Sequence, residues 1–91
     1  MSGSIRRRVV VRGRVQGVFF RDTTRRRAES AGVTGWVTNR PDGAVEAAFE
    51  GEPAAVSELV EFCRRGPSRA FVESVEVIEE DPEGVGGFEI R

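Results

Sequence analysis

The chain has no histidine and no lysine, and it holds a single cysteine in 91 residues. Without histidine it lacks the commonest general base and the commonest metal ligand. One cysteine, Cys63, excludes an internal disulfide and any multi-cysteine zinc site. Long apolar runs are missing too. No stretch approaches the length of a membrane span, and MSGSIRRRVVV carries no apolar core of a signal peptide. These features predict a soluble, cytoplasmic chain with no membrane partner.

What is present is arginine. All fourteen cations are arginine, against fifteen acids, for a net charge of −1. The distribution is uneven. Residues 1–40 hold ten arginines and two acids, and residues 41–91 hold four arginines and thirteen acids. Two readings are open. One is an electropositive region that attracts a small anion. The other is that the halves interleave in space and their charges pair. Ninety-one residues suffice for one domain, 1–91, with one apolar core and no metal or disulfide staple.

The residues predict seven elements. IRRRVVVRG, 5–13, is a strand with Val9 and Val11 on one face. RDTTRRRAESA, 21–31, is a helix stopped by Gly32, with Asp22–Arg26 and Arg25–Glu29 as outward i,i+4 pairs. VTGWVTN, 33–39, and AVEAAFEG, 44–51, are strands joined by the turn RPDG. In the second, Val45, Ala47 and Phe49 share a face. A helix follows from Pro53 to the stop at Gly66-Pro67. Val56, Leu59, Val60 and Cys63 form its i, i+3, i+4, i+7 stripe, so Cys63 reads as core rather than nucleophile. FVESVEVIEE, 71–80, is a strand with Val75 and Val77 inward, and FEIR closes the chain as a short strand. The order β-α-β-β-α-β plus a short β is the split βαβ, ferredoxin-like arrangement of the α+β class, two helices on one antiparallel sheet.

GRVQGVFFR, 13–21, falls at a strand-to-helix junction, a natural anion site. Unpaired N–H groups and the helix dipole both favour negative charge there. Gly13 and Gly17 admit positive φ and let successive N–H groups turn inward as a nest. Arg21 offers a planar fork to phosphate oxygens. Phe19 and Phe20 read as a buried pair, with Phe20 anchoring the loop. Gln16 either braces the loop or stays in solvent. The segment is not a Walker loop, because no GK[ST] follows. Asn39, before the turn, either serves chemistry or caps the turn.

GRVQGVFFR together with GWVTNRPDGAVEAAFEG, 35–51, closely resembles the two signature segments of the acylphosphatase family, in order and spacing across nearly the whole chain. The resemblance implies a ferredoxin-like enzyme, without metal or cofactor, that hydrolyses the carboxyl–phosphate bond of acyl phosphates. It assigns phosphate binding to Arg21 and the loop Val15, Gln16, Gly17, Val18, Phe19 and Phe20, within a cradle running from Gly13. It gives orientation of the attacking water to Asn39. Inorganic phosphate is then product and inhibitor, and the enzyme is expected to be a monomer. Family members usually carry a longer, often basic, side chain at Thr38. On a strand Thr38 points away from Asn39, so the departure alters surface charge rather than chemistry. The chemistry suits the residues: a carboxylate leaving group with a conjugate acid near pKa ~4 needs no general acid. Phosphoryl transfer asks mainly for positioning and charge stabilisation. The loop itself suggests no pocket for a particular acyl group. Two other readings are a nucleic-acid-binding module, against which no strand of this chain carries a pair of exposed aromatics for base stacking, and an inactive anion-binding or regulatory domain, which Arg21 and Asn39 argue against.

Overall fold

The computed structural model describes residues 3–91. Strand β1 spans Ile5–Arg14, helix α1 Phe20–Ala31, β2 Thr34–Asn39, β3 Val45–Gly51, α2 Pro53–Arg65, β4 Phe71–Glu80 and β5 Phe88–Ile90. The strands lie in the order β4-β1-β3-β2-β5. The four long strands pair antiparallel, and β5 joins β2 in parallel, so the sheet is mixed. Both helices cover one face, as the element order implies.

The core lies between that face and the helices. Val9 and Val11 of β1 and Val45, Ala47 and Phe49 of β3 are buried beneath it, as the alternation predicts. The stripe Val56, Leu59, Val60 and Cys63 of α2 is buried opposite them. Each large apolar side chain so buried contributes about 1.5–3 kcal/mol. Burial also pushes the Cys63 thiol up to about 12, which keeps it protonated and unreactive. Val77 departs from expectation. It sits opposite Val9 in the register, on the helix-covered face, yet stays 37 % exposed. β4 is an edge strand, so the helix layer reaches it only in part.

The open face of the sheet resolves the charge question. Arg6, nearly fully buried, bonds Glu50 at 3.2 Å and Glu80 at 3.0 Å. Arg8 bonds Glu46 and Glu80, each at 2.8 Å. Register explains the pairing: Glu50 and Glu80 stand directly across from Arg6 on β3 and β4. The basic start and the acidic remainder of the chain therefore interleave here. Burial alone would raise the Glu50 carboxyl. The N–H groups of Glu83 and Gly84, at 2.9 and 2.8 Å, and the Arg6 guanidinium reverse this and hold it below the usual range. On the same sheet Trp36 is covered by the Arg91 guanidinium, 5.0 Å from the ring centroid.

Candidate active site

The site begins where β1 gives way to α1. Val15, Val18 and Phe20 turn their side chains into the core, and Phe20 packs against Phe62 with ring centroids 5.7 Å apart. Three buried anchors in so short a segment fix its backbone. Between them the chain turns on Gly17, at φ 74°, and Phe19, at φ 66°. Phe19 is the one non-glycine residue with positive φ among those described. Such a conformation costs about 1–3 kcal/mol and persists only where the surroundings impose it. The expected buried pair is thus split. Phe20 is buried, while Phe19 is 68 % exposed, because the left-handed turn at Phe19 sends its ring outward as its neighbour goes in.

Phe19 is also the N-cap of α1, and no side chain caps the helix. No backbone N–H from Val15 to Asp22 finds a partner among the described residues. Such a row must be met by water or by a ligand. The helix dipole adds partial positive charge at the same place. Arg21, exposed in the first turn, makes no hydrogen bond or ion pair with any described residue. Of the two pairs expected on α1, Asp22–Arg26 forms at 2.7 Å, and Arg25–Glu29 does not form within 4 Å.

Gly13, expected to open the loop, does not line the cleft or join this row of N–H groups. It lies within β1 beside an irregularity in the pairing with β4, where the register shifts between Arg12 and Gly13. A Cβ there would run into the Phe71 carbonyl oxygen. Its glycine serves the close approach of the edge strand. The row of unpartnered N–H groups starts at Val15. Gln16 is resolved as a brace: its Nε2 donates to the carbonyls of Arg40 at 2.8 Å and Ala44 at 3.0 Å. The loop is thereby tied to the β2–β3 turn, directly after Asn39.

Asn39 ends β2, opposite Val45. Asp42 rather than Asn39 caps the turn, accepting from the Ala44 N–H at 3.1 Å. That bond, followed by Arg40 and Arg12, holds the Asp42 carboxyl below the usual carboxylate range. The Asn39 side chain is left free of the turn, and its Oδ1 is buried with no hydrogen-bond partner among the described residues. Thr38 donates instead to the Arg91 carbonyl at 2.9 Å, pinning the end of the chain.

One cleft of about 350 Å³ brings these parts together. From the loop and the start of α1 come Val15, Gly17, Phe19, Phe20 and Arg21, from β2 comes Asn39. Of the expected set, Gln16 and Val18 do not line it. Asp22 and Ile90 do, and the sequence reading missed both. Asp22 read as an outward helix residue, and its bond to Arg26 is real, but the first turn of α1 faces the cleft. Ile90 arrives through the parallel pairing of β5 with β2, which no local pattern announces. Among the described residues no three His, Cys, Asp or Glu side chains gather where they could hold a metal ion.

Residues 7–90 match the acylphosphatase family. The chain belongs to that family. An acylphosphatase of Rubrobacter xylanophilus is 65 % identical over 85 residues, covering 92 % of this chain and 77 % of its own. One of Haloarcula marismortui is 60 % identical, covering 94 % of each chain. The solved structure of an acylphosphatase from Coxiella burnetii superposes with a TM-score of 0.92 at 39 % identity, covering 97 % of this chain and 93 % of that one. The enzyme hydrolyses acyl phosphates to a carboxylate and inorganic phosphate. No helix among the described residues is long and apolar enough to cross a membrane.

Proposed function

We propose that the acyl phosphate binds with its phosphoryl group against the N–H groups of the Val15–Phe20 loop and the Arg21 guanidinium, and that the Asn39 amide orients the attacking water. The observation that carries this reading is the meeting, in one cleft, of an unpartnered row of N–H groups, an unpaired arginine and an asparagine whose Oδ1 lacks a donor. A water O–H supplies that donor.

The water oxygen attacks phosphorus in line with the acyl oxygen. The P–O bond to the acyl group breaks, and its electron pair leaves on the carboxylate. The carboxylate needs no proton, since its conjugate acid has a pKa of about 4. The water's proton passes to a phosphoryl oxygen. Arg21 and the N–H groups supply the positive charge that the equatorial oxygens require, so the enzyme works without a metal ion. Inorganic phosphate occupies the same cradle as product and competitive inhibitor. One chain supplies both Arg21 and Asn39, which suits a monomer. A single free, buried thiol suits a reducing cytoplasm.

The test is Asn39→Ala with benzoyl phosphate. An orienting amide gains its value near the transition state, so kcat falls by about 10²-fold or more. The inhibition constant of phosphate changes far less. A near-normal kcat would return Asn39 to a structural role.

A further inference from the structure

The cleft has more in it than a phosphoryl group uses. Its volume, about 350 Å³, falls within the ~300–1,000 Å³ range of small-molecule sites. A phosphoryl group has the bulk of a few waters at ~30 Å³ each and fills only part of this. The remainder is walled by two exposed apolar side chains, Phe19 and Ile90. Phe19 is 68 % exposed and held in a left-handed conformation. Ile90 is 38 % exposed and is brought to the same cleft from β5, at the opposite end of the chain. Asp22 adds a carboxylate to the wall.

We propose that Phe19 and Ile90 form an acyl subsite that favours aromatic or branched apolar acyl phosphates over small ones. The Phe19 ring is 68 % exposed, so it buries little apolar surface within the fold. Placed beside the cradle, it offers a face to the acyl group of a substrate whose phosphoryl end is already gripped. An aromatic acyl group stacks on it with the ~0.5–1.5 kcal/mol typical of aromatic pairs, beyond the area buried. This rests on the phosphoryl placement proposed above, and it deepens that placement by naming the acyl class.

The experiment compares kcat/KM for benzoyl phosphate with that for acetyl phosphate, as a ratio, in the wild type and in variants. Differences in intrinsic reactivity between the two substrates cancel when variant and wild-type ratios are compared. Phe19→Asn removes the ring and installs a residue that tolerates the left-handed region. Ile90→Ala trims the other wall without touching the loop. Phe19→Tyr keeps the ring. The ratio should fall about 10-fold in Phe19→Asn, the scale of one lost apolar contact, and by less in Ile90→Ala. Phe19→Tyr should hold it within about 2-fold. A wild-type ratio retained in Phe19→Asn overturns the proposal. So does an equal loss on both substrates, which would assign Phe19 to loop geometry alone. If Phe19→Asn does not fold, Ile90→Ala decides: an unchanged ratio there overturns the subsite. Failure of the phosphoryl placement reads out separately, as phosphate inhibition that survives Arg21→Ala.

Discussion

Gln16 ties the Val15–Phe20 loop to the turn that follows Asn39, and its loss should loosen the alignment of the two. Gln16→Ala deletes two hydrogen bonds, of 2.8 and 3.0 Å. Each is worth about 0.5–1.5 kcal/mol net. Neither carbonyl is orphaned, because Arg40 O still accepts from Gly43 N and Ala44 O from Arg40 N. The stability loss therefore belongs at the low end, about 1–2 kcal/mol, or a Tm drop of roughly 5–15 °C for a domain of this size. The catalytic loss should be larger in proportion. A displacement of ~1 Å between cradle and water costs up to ~10²-fold, so kcat should fall at least ~10-fold. Gln16→Glu is the sharper variant. It keeps the shape but points carboxylate oxygens at two carbonyls, and it should be worse than alanine by both measures. Thermal melts and steady-state kinetics with benzoyl phosphate read the two effects. A lower Tm with wild-type kcat would show that the brace serves stability alone and does not align the loop with Asn39.

Glu50→Gln should destabilise the fold by about 3 kcal/mol at pH 7, the low end for breaking a buried ion pair, because Glu80 and Glu83 still face Arg6. The Glu50 carboxyl titrates lower in the folded chain than its unfolded value of about 4.3. Its stabilisation is thus complete above that pH and disappears as pH falls through the folded value. Urea midpoints of wild type and variant should converge on acidification, and a constant gap would contradict the assignment. Gly13→Ala should destabilise by well over ~1 kcal/mol, since positive φ and a clash with the Phe71 carbonyl act together. Gly17→Ala, in open space at φ 74°, should cost only about 1 kcal/mol. Equal effects in urea titrations would refute the distinction.

The regular elements were legible because their signals are local. The α2 stripe and its Pro53 and Gly66 boundaries, the alternation at Val45, Ala47 and Phe49, and the junction at Arg21 need only neighbouring residues. What escaped depends on distant partners. Gly13 looked like a nest glycine because the strand it must approach is some sixty residues away, at Phe71. Gln16 was ambiguous because its acceptors lie at Arg40 and Ala44. Ile90 enters the cleft only through strand order. Phe19 and Phe20 have the same side chain and adjacent numbers, and only the helix-capping conformation separates their fates. The halved charge pattern could not reveal whether it would polarise the surface or cancel across β1, β3 and β4.

In the proposed site Arg21 grips the phosphoryl group in substrate and transition state with a planar fork. Steady-state kinetics with benzoyl phosphate, plus phosphate inhibition constants, test it in Arg21→Ala, Arg21→Lys and the control Arg25→Lys. Lysine keeps the charge but not the fork. Arg21→Lys should lose at least ~10-fold in kcat/KM, about 1.4 kcal/mol, with weaker phosphate inhibition, and Arg21→Ala should lose more. Arg25→Lys, exposed and unpaired on α1, should match wild type. An Arg21→Lys enzyme indistinguishable from its control would show that charge alone suffices, and an active Arg21→Ala with unaltered phosphate inhibition would contradict the site itself.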